Sequence, residues 1–322
     1  MKRYAIRDKI LALDPDNDAL EIVQLSVFYD FSWDFNRSLE LALYKTFAVP
    51  SIAKILNGTK EFEHRTEKRY DDTDLLLSEI IEHGYDSPRG TAAIEHLNWI
   101  HSHYNISNED YLYVLSTFIY EPSRWVKKYG WRQLTRNEEL AGFRVWVEIG
   151  KRMGIQNIPE SIEEFEAFNI EFERKHFIYS EPNRKVAHAT ENLMLGWFLP
   201  KFLWNTGRPF LHGIMDENLL LAFGYNTPPK MIQKIANSAL RLRAGILKWL
   251  PASNTPFLRT LKKGKNTYPK GYELRDIGPG KLNKKTCPYH AVKELLGDHG
   301  RQSTVHSQNA IFNPPGALEY LI

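Results

Sequence analysis

The chain has 322 residues, 43% of them hydrophobic and 13% aromatic, with a formal net charge of +3. That supply of apolar side chains can bury a sizeable core, in one or two domains. The single cysteine, Cys287, excludes an internal disulfide framework and any cysteine-rich zinc site.

Taken from the N-terminus, MKRYAIRDKILALDPDND has no apolar run, so neither a secretory signal nor an anchor is expected there, and a cytoplasmic location is the expectation. Ser32 is placed to cap a helix over Trp33–Phe47, whose Leu39, Leu43 and Phe47 recur at helical spacing, and Pro50 restarts a short helix through Leu56. In KRYDDTDLLLSEIIEHG the stripe Leu76, Leu77, Ile80 and Ile81 predicts the next helix. Ser87-Pro88 supplies a cap and a first-turn proline ahead of Thr91–Tyr104, and Ser107 precedes Glu109–Trp125. Thr135 with Glu138 and Ser161 with Glu164 read as capping boxes, opening helices to Met153 and His176. Gly84, Gly130 and Gly154 stand where helices should stop.

The apolar run Leu193–Trp204 is cut by Pro200 and Lys201 and is too short to cross a bilayer. Beyond it, Lys230 to Lys285 holds fourteen Lys or Arg against only Glu273 and Asp276. That excess suits an acidic partner surface, such as anionic lipid or nucleic acid, or simply a solvated face. Within it Met231–Leu250 reads as an amphipathic helix. Ile232, Ile235, Ala239, Leu242, Ile246 and Trp249 fall on one side, and Lys234, Arg241 and Lys248 on another. The apolar side is expected to pack on the protein. The alternative is peripheral contact with an anionic membrane, and no specific nucleic acid is expected.

No alternating strand or hairpin signal appears, so the expected class is all-α: one multi-helix globular domain over 1–275. A basic and polar, mostly irregular extension follows over 276–322, with Gly278-Pro279-Gly280, a short helix at Tyr289–Leu296 and Asn313-Pro314-Pro315-Gly316.

No GxSxG elbow, P-loop, HExxH or CxxC occurs, and Gly278-Pro279-Gly280 lacks the strand-to-helix context of a dinucleotide fingerprint, so the common hydrolase, NTPase and Rossmann readings lose their support. Candidates for chemistry must then be polar residues on apolar helix faces. His101 recurs with Ile94, Leu97 and Tyr104, whereas His96 and His103 point elsewhere. A buried neutral imidazole suits an axial iron ligand if its other nitrogen donates to a carbonyl or carboxylate. A hydrogen-bonded core histidine is the alternative. Arg69 and Thr73 share the side of Leu76, Leu77, Ile80 and Ile81. An inward arginine needs an anion, which a haem propionate, a bound oxygen species, Asp72 or Glu79 would supply. Three further features have structural and functional readings. They are Glu121-Pro122 with Trp125, Trp131 and Arg132; Glu148 as an orienting carboxylate; and Cys287-Pro288 as a thiolate contact.

From Leu39 to Val186 the sequence resembles the family of fungal MpaB oxygenases and bacterial rubber oxygenases. The blocks that carry the likeness are ALYKTFAVPSIAKIL, KRYDDTDLLLSEI, IEHLNWIH, NEDYLYVLSTFIYEP and GWRQLTRNEELAGF leading into WVEIGKRMGI, in that order. The resemblance implies haem b held by His101 as the iron ligand, with Arg69 also at the cofactor. It makes Arg69, Asp72 and Thr73 the catalytic candidates beside it, although Asp72 stands where the rubber enzymes have a lysine. The implied chemistry is oxidation or cleavage of a C=C bond in a prenyl chain or other apolar substrate, with dioxygen. The Asp72 departure leaves open a non-catalytic haem or lipid carrier, and a haem-free redox protein is a third reading.

Overall fold

The computed structural model describes residues 2–261 and 267–282. Cys287-Pro288 and the short helix expected at Tyr289–Leu296 lie outside the described residues. Among the described residues there are fourteen α-helices and no strand, so the all-α expectation is met.

In chain order, two short helices, α1 (Ala5–Leu11) and α2 (Ala19–Leu25), lead through a π-turn at Ser26–Asp30 into α3 (Ser32–Thr46). The π-turn runs straight into α3, so Ser32 is its first helical residue rather than its cap. Then come α4 (Pro50–Thr59), the single turn α5 (Glu61–His64), α6 (Thr66–His83), α7 (Pro88–His101), α8 (Asn108–Tyr129), α9 (Arg136–Arg152) and α10 (Ile162–His176). The C-terminal half adds α11 (Glu181–Phe198), α12 (Trp204–His212), α13 (Glu217–Ala222) and α14 (Lys230–Leu247).

Local chemistry explains the helix starts. The hydroxyls of Ser87, Ser107, Thr135, Ser161 and Ser180 each accept a backbone N–H from the first turn of the following helix. Thr135 and Glu138 form the complete reciprocal box, whereas Ser161 makes the side-chain cap. Helix α7 starts at the expected cap but ends three residues early, so His101 is its last residue and Ser102–Tyr104 turn away. Helix α8 runs through Pro122 and past the expected end at Trp125 to Tyr129.

The long helix α8 packs between α3, α9 and α10, while α6 and α7 pair beside it. Their apolar faces build the main core with Ile22, Leu75, Ile80, Ala93, Ile149 and Phe165. Each fully buried Leu or Ile of this kind contributes roughly 1.5–3 kcal/mol. A second cluster around Tyr44, Phe47, Ala187 and Phe223 ties α3 to α11 and α13.

Two expectations are corrected here. The stretch from 276 was read as the start of an extension, yet Ile277 is 1% exposed and joins Leu274, at the end of the expected domain, in the main core. His96, expected to point elsewhere than the buried stripe, is buried and donates from Nε2 to the carbonyl of Ile277 at 3.0 Å. Gly278 follows with φ +108°, and a Cβ there would come within 2.9 Å of Ile100, so the close approach to α7 requires glycine.

The apolar stripe of α14 faces away from the body, contrary to expectation. Ile235, Ala239, Leu242, Ile246 and Trp249 are exposed, Trp249 at 89%, and Ile232 is half-buried. The helix is held instead by polar contacts. Tyr129 donates to Asn237 at 2.6 Å, Asn237 donates to the Gly213 carbonyl at 2.9 Å, and Arg243 pairs with Asp34 at 3.2 Å over the Trp33 ring. Ala244 is the helix's buried contact. No helix among the described residues is long and apolar enough to cross a membrane.

Candidate active site

Helices α4, α6, α7, α8 and α9 enclose a cavity of about 200 Å³, closed on one side by Gly278 and Pro279. Arg69, Asp72, Thr73 and His101 all stand in its wall. The sequence brings them there through two periodicities. Arg69 and Thr73 are four apart on α6, and His101 lies seven beyond Ile94 on α7.

His101 sits where α7 ends, edge-on to the Tyr111 ring with centroids 5.5 Å apart. Its Nδ1 is buried and has no hydrogen-bond partner among the described residues. The carbonyl or carboxylate expected to fix its tautomer is therefore not in contact with that atom. Burial first, and the nearby charge of Arg69 second, lower its pKa to about 4, so the imidazole is neutral at ordinary pH. The residue is only half-buried overall because part of its surface borders the cavity.

Arg69 donates through Nη1 to the Thr73 hydroxyl, which in turn donates to the Arg69 carbonyl at 3.2 Å. Its guanidinium lies 5.8 Å from the centre of the Phe62 ring. Among the described residues no carboxylate forms an ion pair with it. Asp72 is taken by Lys68 at 2.7 Å, and Glu79 by Arg89 at 2.5 Å and His83 at 3.1 Å. Both carboxylates suggested by sequence as its anion are thus committed elsewhere. Burial lowers the Arg69 pKa, with the Asp72 charge opposing.

Asp72 itself is a different kind of residue from its neighbours. It is 4% exposed, and its two oxygens accept from Lys68 Nζ, from the Tyr268 hydroxyl and from the Gly278 N–H at 3.1 Å. Lys68 also donates to the Gly278 carbonyl at 3.1 Å. Sequence placed Asp72 among the catalytic candidates; in the structure its carboxylate fastens Tyr268 and Gly278 to α6. Tyr268 was missed, and Gly278 was read only as part of an irregular extension, because both lie about two hundred residues away from Asp72.

The remaining sequence candidates fall outside the cavity. Glu121 is buried in ion pairs with Lys45 and Arg124, each at 2.8 Å. Arg132 bridges Asp30 at 2.6 Å and Glu138 at 2.7 Å, while Trp131 donates to the Asp30 carbonyl. Trp125 donates to Asp34 at 3.1 Å. Glu148 pairs with Lys151 and Arg152 on the surface. These are structural contacts.

A second cavity of about 260 Å³ adjoins the first, and Leu43, Leu77, Phe118 and Trp146 stand in the walls of both. Ligand pockets are typically ~300–1,000 Å³, so a macrocycle would need this partition to yield as well as the His101 cavity. The donor chemistry does suit one. Among the described residues no group of three or more His, Cys, Asp or Glu is placed to chelate a bare ion. A macrocycle that brings four ligands of its own asks for one imidazole, and an unpaired arginine can meet its acid groups.

The family described as "ER-bound oxygenase mpaB/B'/Rubber oxygenase, catalytic domain" matches residues 41–240. The chain belongs to this family. Among its relatives, ER-bound oxygenase mpaB' of Penicillium brevicompactum is 28% identical over 253 residues, covering 73% of this chain and 60% of that protein. ER-bound oxygenase mpaB of Penicillium roqueforti (strain FM164) is 27% identical over 242 residues, covering 70% and 81%. The mpaB of Penicillium brevicompactum is 26% identical over 198 residues, covering 56% and 50%. The matches thus span about half to three-fifths of the two Penicillium brevicompactum proteins. The matched region of the MpaB/rubber oxygenase family contains Arg69, Asp72, Thr73 and His101, whereas the segment fastened by Asp72 lies beyond it.

Proposed function

We propose that this chain is a haem b-dependent oxygenase that oxidises or cleaves a C=C bond of an isoprenoid or other apolar substrate, with His101 as the iron ligand. The observation that carries the reading is the buried Nδ1 of a neutral imidazole in the wall of an apolar cavity, unpartnered among the described residues, beside an arginine that has no carboxylate partner among them. Family membership and the oxygenase names of the relatives support it. When bound, the haem iron would supply dioxygen binding and activation. The chain's residues do the rest. The His101 ring stays unprotonated and able to ligate, and Thr73 holds the Arg69 guanidinium as a fixed positive charge. Burial keeps the Tyr111 hydroxyl protonated, and the apolar lining excludes water.

A second reading, a non-catalytic haem or lipid carrier, draws on Asp72. Among the described residues no lysine stands in the cavity wall, and the carboxylate in the corresponding position is engaged by Lys68 and Gly278. Purified protein separates the two. A Soret band with dioxygen consumption on prenyl substrates supports the enzyme, whereas a Soret band without turnover supports the carrier. No Soret band after haem-supplemented expression defeats the enzyme and the haem carrier, and favours a lipid carrier or a haem-free redox protein.

The exposed apolar stripe of α14, with Lys234, Arg241 and Lys248 also exposed, supports peripheral contact of Met231–Leu250 with an anionic membrane, on its cytoplasmic side. The relatives' description as ER-bound accords with that reading.

A further inference from the structure

Between α3, α11 and α12 lies a groove of about 540 Å³ lined almost wholly by apolar side chains, among them Leu41, Leu195, Leu199, Leu211 and Ile214. It opens outward where Phe198, Leu203 and Phe210, all exposed, form part of its lining. Isolated exposed apolar residues are ordinary on a protein surface, but several of them lining one apolar groove mark a binding surface. Helix α12, which walls the groove, packs directly on α14 with its exposed apolar stripe.

At its inner end the groove meets a void of about 30 Å³, the size of a water or two. Glu40, Tyr44 and Met194 belong to the walls of both. That void shares Leu43, Phe47, Arg69 and Thr73 with the His101 cavity. The three spaces therefore adjoin one another from the surface to the Arg69–Thr73 side of the cavity, partitioned by these shared side chains and smallest at the middle.

Of the three residues at the inner end of the groove, two are fixed. Glu40 accepts from Arg37 at 2.6 Å and from the Tyr70 hydroxyl at 2.5 Å. Tyr44 donates to Glu191 at 2.5 Å, and Glu191 is itself held by Arg208 and by His212 at 2.9 Å. Met194 is partly buried, has no polar group to anchor it, and is unbranched with three rotatable bonds. It can swing where its neighbours cannot.

Resting on the reading of the His101 cavity as an oxygenase site, we propose that the groove is the entry route and chain-binding subsite for a long, slender apolar substrate, a prenyl chain, with Met194 as its gate. The groove takes the chain lengthwise, and displacement of the Met194 side chain lets one end reach Arg69 and Thr73. Only a slender chain fits such a neck, so the route selects against fused-ring substrates of similar hydrophobicity.

The test is photolabelling of the whole purified protein, as isolated, with geranylgeraniol carrying a diazirine at the end remote from the hydroxyl, and mapping of the labelled residues by mass spectrometry. Wild-type protein is expected to carry label both in α12 and at Thr73 and its neighbours. Met194→Trp should keep the α12 label and lose about tenfold at Thr73, because a larger side chain in a packed neck cannot be absorbed. Met194→Leu should behave as wild type, and Leu211→Trp should lose both labels. Gly142 borders the second cavity and has open space where a side chain would stand, so Gly142→Trp should leave the Thr73 label intact. Thr73 labelling that survives Met194→Trp, or that disappears in Gly142→Trp, overturns the route. The Soret band of the same samples reports on the iron separately, so loss of the haem reading and loss of the route are distinguishable.

Discussion

Arg69 on α6 and His101 on α7 share one cavity wall, and the guanidinium adds to burial in keeping the imidazole uncharged. The folded pKa of about 4 lies below the ordinary 6.5. Between those values the unfolded chain carries a proton on this ring that the folded chain does not. The histidine therefore costs no stability above the unfolded pKa, and the cost grows as pH falls from there to the folded pKa. An NMR titration of the His101 ring in haem-free protein should give a midpoint near 4. Arg69→Gln should move it upward. A wild-type midpoint at the ordinary histidine value would refute the burial argument.

His101→Ala should abolish haem retention and leave the far-ultraviolet circular dichroism unchanged, since one side chain at a helix end contributes little to α7. His103 is exposed, so His103→Ala should alter neither haem content nor melting temperature. His96→Ala should retain haem yet lower stability by about 1–3 kcal/mol, because the Ile277 carbonyl would be left buried without its donor. Urea denaturation and the Soret absorbance read these two effects apart.

Asp72→Ala should destabilise by roughly 2–4 kcal/mol, through loss of the carboxylate that Lys68, Tyr268 and Gly278 share. The figure lies below that for a fully buried pair because Lys68 retains some solvent contact. Limited proteolysis should show earlier cleavage within 267–282. Unchanged protection there would count against the fastening role.

For the membrane contact, co-sedimentation with anionic liposomes should weaken at high salt and in a Lys234→Glu, Arg241→Glu, Lys248→Glu variant. Each lost cation removes on the order of 1 kcal/mol of attraction. Leu242→Glu with Trp249→Glu should weaken binding at every salt concentration, since both side chains point into solvent. Binding indifferent to both sets of changes would leave the interface unsupported.

Helices α7 to α10 and their starts were legible because caps and periodicity are local, whereas α1, α2, α5 and α11 to α13 were not read from the sequence. Ser87, Ser107 and Thr135 announce their helices within four residues. Arg69, Thr73 and His101 were legible for the same reason, as residues on apolar stripes. What sequence hid was non-local. Nothing near Asp72 tells of Tyr268, and nothing near His96 tells of Ile277. The outward turn of α14 was hidden too. Amphipathic spacing identifies an apolar face without naming what it meets, and here Asn237 and Arg243 decide which side docks.

The clasp between Asp72 and Gly278 also sets an order of assembly. One wall of the His101 cavity is laid by residues that leave the ribosome some two hundred positions after α6, and closing a loop of that length is slow compared with pairing neighbouring helices. Helices α4 to α9 can meet first and leave the pocket with an open side through which a bulky planar group can be loaded. Arrival of Tyr268 and Gly278 then seals it. A chain cut before Tyr268 should keep its helices and lose its grip on whatever the pocket holds, which makes the late segment a closure laid over a finished scaffold.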